Sequence, residues 1–157
     1  MIIENTKQAS KIKLFFMLIP VVFTASILAL LLLEIPNYFW HVVALGTFMV
    51  IMFVVLSFLQ FNYIHFEQTP QKILFRFYGI GPLNKKYQTF KINPPLFITH
   101  KIERDIFGLV PKLYLYVSIK NEIAKYPPIS ITGLSKNQRQ QLINALTALE
   151  TMNKKRT

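Results

Sequence analysis

At 157 residues the chain has room for one modest domain and little besides. It contains no cysteine, which excludes disulfides, thiolate catalysis and cysteine metal sites together. Its formal net charge of +11 is unevenly placed: residues 14–66 hold no Lys or Arg and a single carboxylate, Glu34, while both flanks are basic.

Residues 1–13 form a basic segment, with Lys7, Lys11 and Lys13 against Glu4. Residues 14–33 are then 20 uncharged, mostly apolar positions. At about 1.5 Å per residue this run spans roughly 30 Å, the thickness of a bilayer's hydrocarbon core. Pro20 lies within it, which a membrane helix tolerates better than a soluble one. The run exceeds a signal-peptide h-region and no A-x-A site precedes Glu34, so it reads as a retained helix. A second apolar segment covers about 39–61, and Glu34-Ile35-Pro36-Asn37 forms a tight turn between them. Tyr38, Trp40 and His41 mark one membrane interface, and Tyr63 and His65 the other. A four-residue turn makes the helices antiparallel, with Ala25, Ser26, Ala29, Ala44 and Gly46 expected along their contact. The cations before the first helix, set against a turn without any, place both termini in the cytoplasm by the positive-inside rule.

From residue 62 the apolar period becomes two. Ile73, Phe75 and Phe77 alternate with Lys72, Leu74, Arg76 and Tyr78, and Gly79-Ile80-Gly81-Pro82 breaks the strand. Lys86, Gln88, Phe90 and Ile92 suggest the next strand, which stops at Asn93-Pro94-Pro95. Leu96, Ile98, His100 and Ile102 follow on one face, opposite Phe97, Thr99 and Lys101. Residues 103–111 read as a loop. Leu113, Leu115, Val117 and Ile119 give the clearest strand, Asn121-Glu122 a hairpin turn, and residues 124–132 a returning strand that Pro127-Pro128 confine to an edge or bulge. Ser135 to Gln138 has the form of a capping box, and Leu142, Ile143, Leu146 and Leu149 line one face of a helix over about 136–152. The expected fold class is α+β: a two-helix transmembrane hairpin, then five to seven antiparallel strands over 62–157, closed by a C-terminal amphipathic helix.

This order, from the hairpin through the FRFYGIGP strand-turn to the capped ITGLSKNQRQQLINAL helix, resembles the bacterial pleckstrin-homology-like membrane family. The resemblance implies a PH-like β domain, as a closed barrel or an open sheet, at the cytoplasmic face of a bacterial inner membrane. It implies a scaffold or binding module without enzymatic activity, and it carries over no site residues.

The residues themselves supply little chemistry. His41, His65 and His100 are too far apart in sequence for a ligand motif, so neither metal nor cofactor is expected. Glu103 and Asp105 flank Arg104 and read as solvated carboxylates rather than an acid–base pair. Gly79 and Gly81 lack the Lys-Ser/Thr and the helix of a phosphate loop. Thr24, Ser26, Thr47 and Ser57 are too mild for a transport path. The remaining candidates are Lys72, Arg76, Lys85, Lys86, Lys91, Lys101 and Lys112, cations on or beside strands that could meet anionic lipid headgroups or a partner. They could equally reflect only the positive-inside rule. Membrane tethering disfavours nucleic acid. The expected partners are the bilayer and other membrane proteins or further copies of the chain. The alternative function is an accessory subunit of a larger membrane complex.

Overall fold

The two uncharged runs form helices α1 (Thr6–Leu32) and α2 (Tyr38–Phe58) in the computed structural model, which describes residues 1–33, 37–81, 87–105, 108–119 and 122–155. Both are long and apolar enough to cross a membrane, and no residue of their most apolar stretches is buried. Val21, Val22, Phe48 and Phe58 are each 58–65 % exposed. The hydroxyls of Thr24, Ser26, Thr47 and Ser57 all donate to the carbonyl four residues earlier, at 2.8–2.9 Å. Hydroxyls satisfied inside their own helix leave its outer surface apolar. Of the small residues expected along the helix contact, Ala25, Ala29 and Ala44 are exposed, and Gly46 has nothing within 4 Å of where a Cβ would stand. Ser26 does line the groove between the helices, but beside larger side chains, among them Phe15, Ile19, Phe48 and Met52. Asn37 enters α2 with φ 59°, and Gln60 ends it with φ 46°. Residues 34–36 of the turn lie outside the described residues.

The first sheet has the order β1-β2-β3-β4, all antiparallel: β1 (Ile2–Glu4), β2 (Asn62–Gln68), β3 (Ile73–Gly79) and β4 (Gln88–Ile92). The basic tail expected over 1–13 is therefore divided between two elements. Residues 2–4 are a strand whose Ile3, opposite Phe66, is 4 % exposed, and α1 starts at Thr6. The chain leaves this sheet at β1, runs out along α1, returns along α2, and re-enters beside its point of departure as β2.

A 3-10 turn at Pro94–Leu96 leads into the second sheet, made of β5 (Phe97–Asp105), β6 (Val110–Ile119), β7 (Glu122–Lys125) and β8 (Ile129–Ser130). β7 and β8 pair with different ends of β6, with the expected break at Pro127-Pro128 between them. Three expectations change here. Phe97 faces the core at 1 % exposure while Leu96, in the 3-10 turn, is 44 % exposed. The register shift between Phe97 and Thr99 then brings His100 and Ile102, of the set that holds Leu96, to the inner side, so strict alternation fails across the shift. Residues 103–105 continue β5 rather than opening a loop, because Glu103, Arg104 and Asp105 pair with Lys112, Pro111 and Val110. Ile119, assigned inward by the alternation, is 47 % exposed. Pro82, Phe107, Lys120, Asn121 and Arg156 fall outside the described residues.

Among the described residues no strand pairing joins the two sheets, so they are open sheets and not a closed barrel. Their inner faces share one core, which holds Phe66 and Phe75, their rings tilted with centroids 4.7 Å apart, together with Phe97, Leu113 and Leu115. Phe90 and Tyr126, 4.6 Å apart, bridge the edge between β4 and the segment after β7. Helix α3 (Lys136–Lys154) covers the opposite edge, packing on β5 and β1. Both halves of its capping box are made: Gln138 N–H donates to Ser135 Oγ at 3.3 Å, and Ser135 N–H donates to Gln138 Oε1 at 3.1 Å. Its buried face is Leu142, Ala145, Leu146 and Leu149, with Ile143 only half-buried. Each fully buried leucine removes enough apolar surface from water to contribute about 2 kcal/mol.

Candidate functional site

The hairpin is joined to the domain through Asn5. This side chain is 0 % exposed, yet all its polar atoms are satisfied. Its Nδ2 donates to the carbonyls of Asn62 at 2.9 Å and Gly133 at 3.0 Å, and its Oδ1 accepts from Ile64 N–H at 2.8 Å. One amide thus ties the start of α1, the start of β2 and the loop before α3. The packing there admits no side chain at Gly133, where a Cβ would stand 2.6 Å from the Asn62 carbonyl oxygen. Gln138 adds a second tie, donating to the Glu4 carbonyl at 2.7 Å.

Held in this way, the base of the hairpin and the first sheet enclose a cleft of about 760 Å³. Helix α1 contributes Ser10, Lys13, Phe16 and Met17, and α2 contributes Phe53. The sheet supplies Tyr63 and Tyr78, stacked with centroids 4.9 Å apart, and the Gly79-Ile80-Gly81 turn closes the far side. Among the described residues no carboxylate lines the cleft. Among the same residues Lys13 is its one cation and has no ion-pair partner. The lining changes character along α1. Thr6, Ser10 and Lys13 are polar, whereas Phe16, Met17 and Pro20 lie within the uncharged run. Tyr87 extends the tyrosine row on the outer face of the sheet, 6.3 Å from Tyr78.

The basic candidates do not form one patch. Lys72 pairs with Glu67 at 3.1 Å, Lys101 with Glu103 at 2.7 Å, and Lys112 with Asp105 at 2.6 Å. The hydrogen bonds from Lys72 and Lys101 hold the Glu67 and Glu103 carboxyls below the usual carboxylate range. Arg76 and Lys91 share the exposed outer face of the first sheet, opposite Thr89 and Leu74 respectively. Lys101 and Lys112 stand on the second sheet. Lys85 and Lys86 lie outside the described residues. Alternation identifies outward-facing cations but says nothing about which carboxylates stand opposite them across the ladder. The cleft was open to sequence reasoning only through Lys13, the last charge before the apolar run.

The histidines remain apart, and no group of three or more metal-ligating side chains occurs among the described residues. His41 is exposed at the far end of the hairpin, and His65 stands 3.4 Å from Glu4. His100 turns inward, at 12 % side-chain exposure, with its Nδ1 3.5 Å from Glu150 Oε2. Burial pushes its pKa below the ordinary histidine value, opposed by the nearby Glu150 charge. Glu150 is itself held low by Lys154 and then by Thr99, whose hydroxyl donates to Oε2 at 2.9 Å. This cluster fastens α3 to β5, and Thr99 and His100 also line an open depression of about 460 Å³ with Ile98, Lys101, Tyr116 and Ile123.

Comparison with known proteins finds no matching family model, no similar curated protein and no similar solved structure.

Proposed function

We propose that this chain is a non-enzymatic, membrane-anchored binding module. In this reading α1 and α2 cross a bacterial inner membrane as a hairpin and hold the two-sheet domain against its cytoplasmic face. The observation that carries the reading is the pairing of β1 with β2. Strands on either side of the hairpin are neighbours in one sheet, so α1 must begin and α2 must end on the same side of any membrane they enter. Two crossings satisfy that condition. The exposed apolar surface of the helices and their internally bonded hydroxyls suit a hydrocarbon surrounding. Lys7, Lys11 and Lys13 support, by the positive-inside rule, a cytoplasmic position for the domain side. The order of hairpin, antiparallel strands and capped terminal helix supports a PH-like domain, with the edge between the sheets covered by α3.

A second reading, an accessory subunit of a larger membrane complex, draws support from the groove of about 400 Å³ between α1 and α2, lined almost wholly by apolar side chains.

The absence of cysteine makes the topology directly testable. Single cysteines at Lys7, Asn37 and Lys136 are treated with an impermeant maleimide in sealed vesicles of known orientation. We expect Lys7→Cys and Lys136→Cys to react from the cytoplasmic side and Asn37→Cys from the opposite side, with the chain resisting alkaline carbonate extraction. Release by carbonate, or reaction of all three from one side, would end the hairpin reading. Purification in mild detergent with fixed-ratio partners would favour the accessory subunit over the free-standing module.

A further inference from the structure

We propose that the cleft at the base of the hairpin binds one anionic phospholipid, an inference that rests on the membrane-anchored reading above and gives that module a ligand. Three observations lead to it. The first is position. The cleft follows α1 from Thr6 to Pro20, about 21 Å at 1.5 Å per residue, and Lys13, the last charge before the uncharged run, stands midway. In a chain anchored by this hairpin, that midpoint is the level where headgroups meet acyl chains.

The second observation is the matching gradient of the lining. On the domain side stand an ammonium and the hydroxyl-bearing Thr6, Ser10, Tyr63 and Tyr78, donors suited to a phosphate. On the membrane side stand Phe16, Met17 and Phe53, which offer a surface to an acyl chain. A wholly water-soluble anion would leave the second half unfilled, and a neutral hydrocarbon would leave Lys13 unanswered. The third is charge: among the described residues Lys13 has no ion-pair partner and no carboxylate faces the cleft, so an incoming phosphate meets no repulsion from the described walls. The volume falls within the usual range for small-molecule sites, roughly 300–1,000 Å³. It can hold a headgroup and the first part of one chain, with the remainder continuing into the bilayer.

The phosphate sits between Lys13 and the tyrosine pair, and one acyl chain runs along Phe16 and Phe53. Arg76, Lys91 and the other strand cations remain outside the site, which separates it from a diffuse attraction to the membrane surface.

The test uses the full chain, purified in detergent and examined by native mass spectrometry with phosphatidylglycerol or phosphatidylcholine added at equal concentration. The expected result is a single retained phosphatidylglycerol per chain, in preference to phosphatidylcholine. Lys13→Gln should weaken that preference about fivefold, the contribution of one cation beside anionic lipid. Lys91→Gln, a change of the same charge on the outer sheet face, should leave it unaltered. Ser10→Trp, which fills the cleft from an exposed helix position, should abolish the adduct even with Lys13 present. Equal retention of the two lipids, equal effects of Lys13→Gln and Lys91→Gln, or an adduct that survives Ser10→Trp would each overturn the proposal. A photoreactive residue at Met17 that crosslinks a protein in native membranes, and not lipid, would do the same. Carbonate extraction of the same variants keeps the two readings distinct: a chain that stays in the membrane without preferring the anionic lipid loses the site and keeps the anchor.

Discussion

The hairpin and the domain are both rich in large apolar side chains, and they handle them in opposite ways. In the domain, Phe66, Phe75, Leu113 and Leu146 are at most 1 % exposed, and outward positions of the domain's strands carry Arg76, Lys91 and Lys101. In the hairpin, apolar side chains point outward all round, and the few hydroxyls fold back onto their own helix. Apolar content alone does not distinguish the two regions; the presence or absence of a polar second face does. A helix such as α3, with one buried stripe, needs water on its other side. A helix such as α2, apolar on every side, needs a surrounding that is not water.

The largest effect should come from moving one leucine change between the two regions. Leu146→Ala removes a fully buried side chain and should cost about 2–5 kcal/mol of domain stability. Leu31→Ala, at a position 52 % exposed on α1, should change the same denaturation curve in detergent by well under ~1 kcal/mol. Comparable losses at the two positions would mean that the hairpin packs against something as a core does. The junction between the regions comes next. Asn5→Ala leaves a buried N–H and two carbonyls without their partner and should destabilise by roughly 1–3 kcal/mol. It should also raise amide exchange in β1 and at Ile64 while the exchange of β6 stays unchanged. Uniform exchange across both sheets would show that the joint is not local.

The dependence on pH sharpens the comparison further, since its source lies in the domain alone. His100 has a folded pKa below the ordinary value of about 6.5, so the unfolded chain takes up the proton more readily near that pH. The contribution is complete above that value and is lost as pH falls from it toward the folded pKa. Glu150, also held low, adds a second loss as pH falls below about 4.5. We expect His100→Phe to remove the first step and leave the second, in melting temperatures recorded against pH. The smallest effect is at the α2–β2 boundary. Gln60 occupies left-handed backbone that costs a non-glycine residue about 1–2 kcal/mol, so Gln60→Gly should raise stability by up to ~1 kcal/mol once its greater freedom in the unfolded chain is deducted.

What could be read from the sequence follows the same division. Both helices, the inward residues of β3 and β6, the broken β7–β8 edge and the capped α3 declare themselves through a period or a capping pattern that survives folding. Three features have no such signature. Residues 2–4 are too few to show alternation, and they become a strand only because β2 lies beside them. The irregularity at Phe97 exchanges inside for outside within two residues, which no alternation rule can anticipate. Asn5 looks like an ordinary cap position, and its partners are Asn62, Ile64 and Gly133, far along the chain. For the candidate site, sequence supplied the cations but not their partners. Lys72, Lys101 and Lys112 are largely answered by carboxylates, while Lys13, set aside as a topology signal, faces the cleft.

The β1–β2 pairing also bears on the order in which the molecule can be built. Ile3 is synthesised before Phe66 and cannot meet it until both helices have been made, so β1 waits through that interval for its partner β2. Bringing together ends as far apart as Asn5 and Asn62, which are 57 positions apart, would be a costly closure for a disordered loop. An antiparallel pair of helices has already returned its two ends to one place. Completing the first sheet is then a short local search, and the hairpin serves as the template on which the domain's edge is assembled.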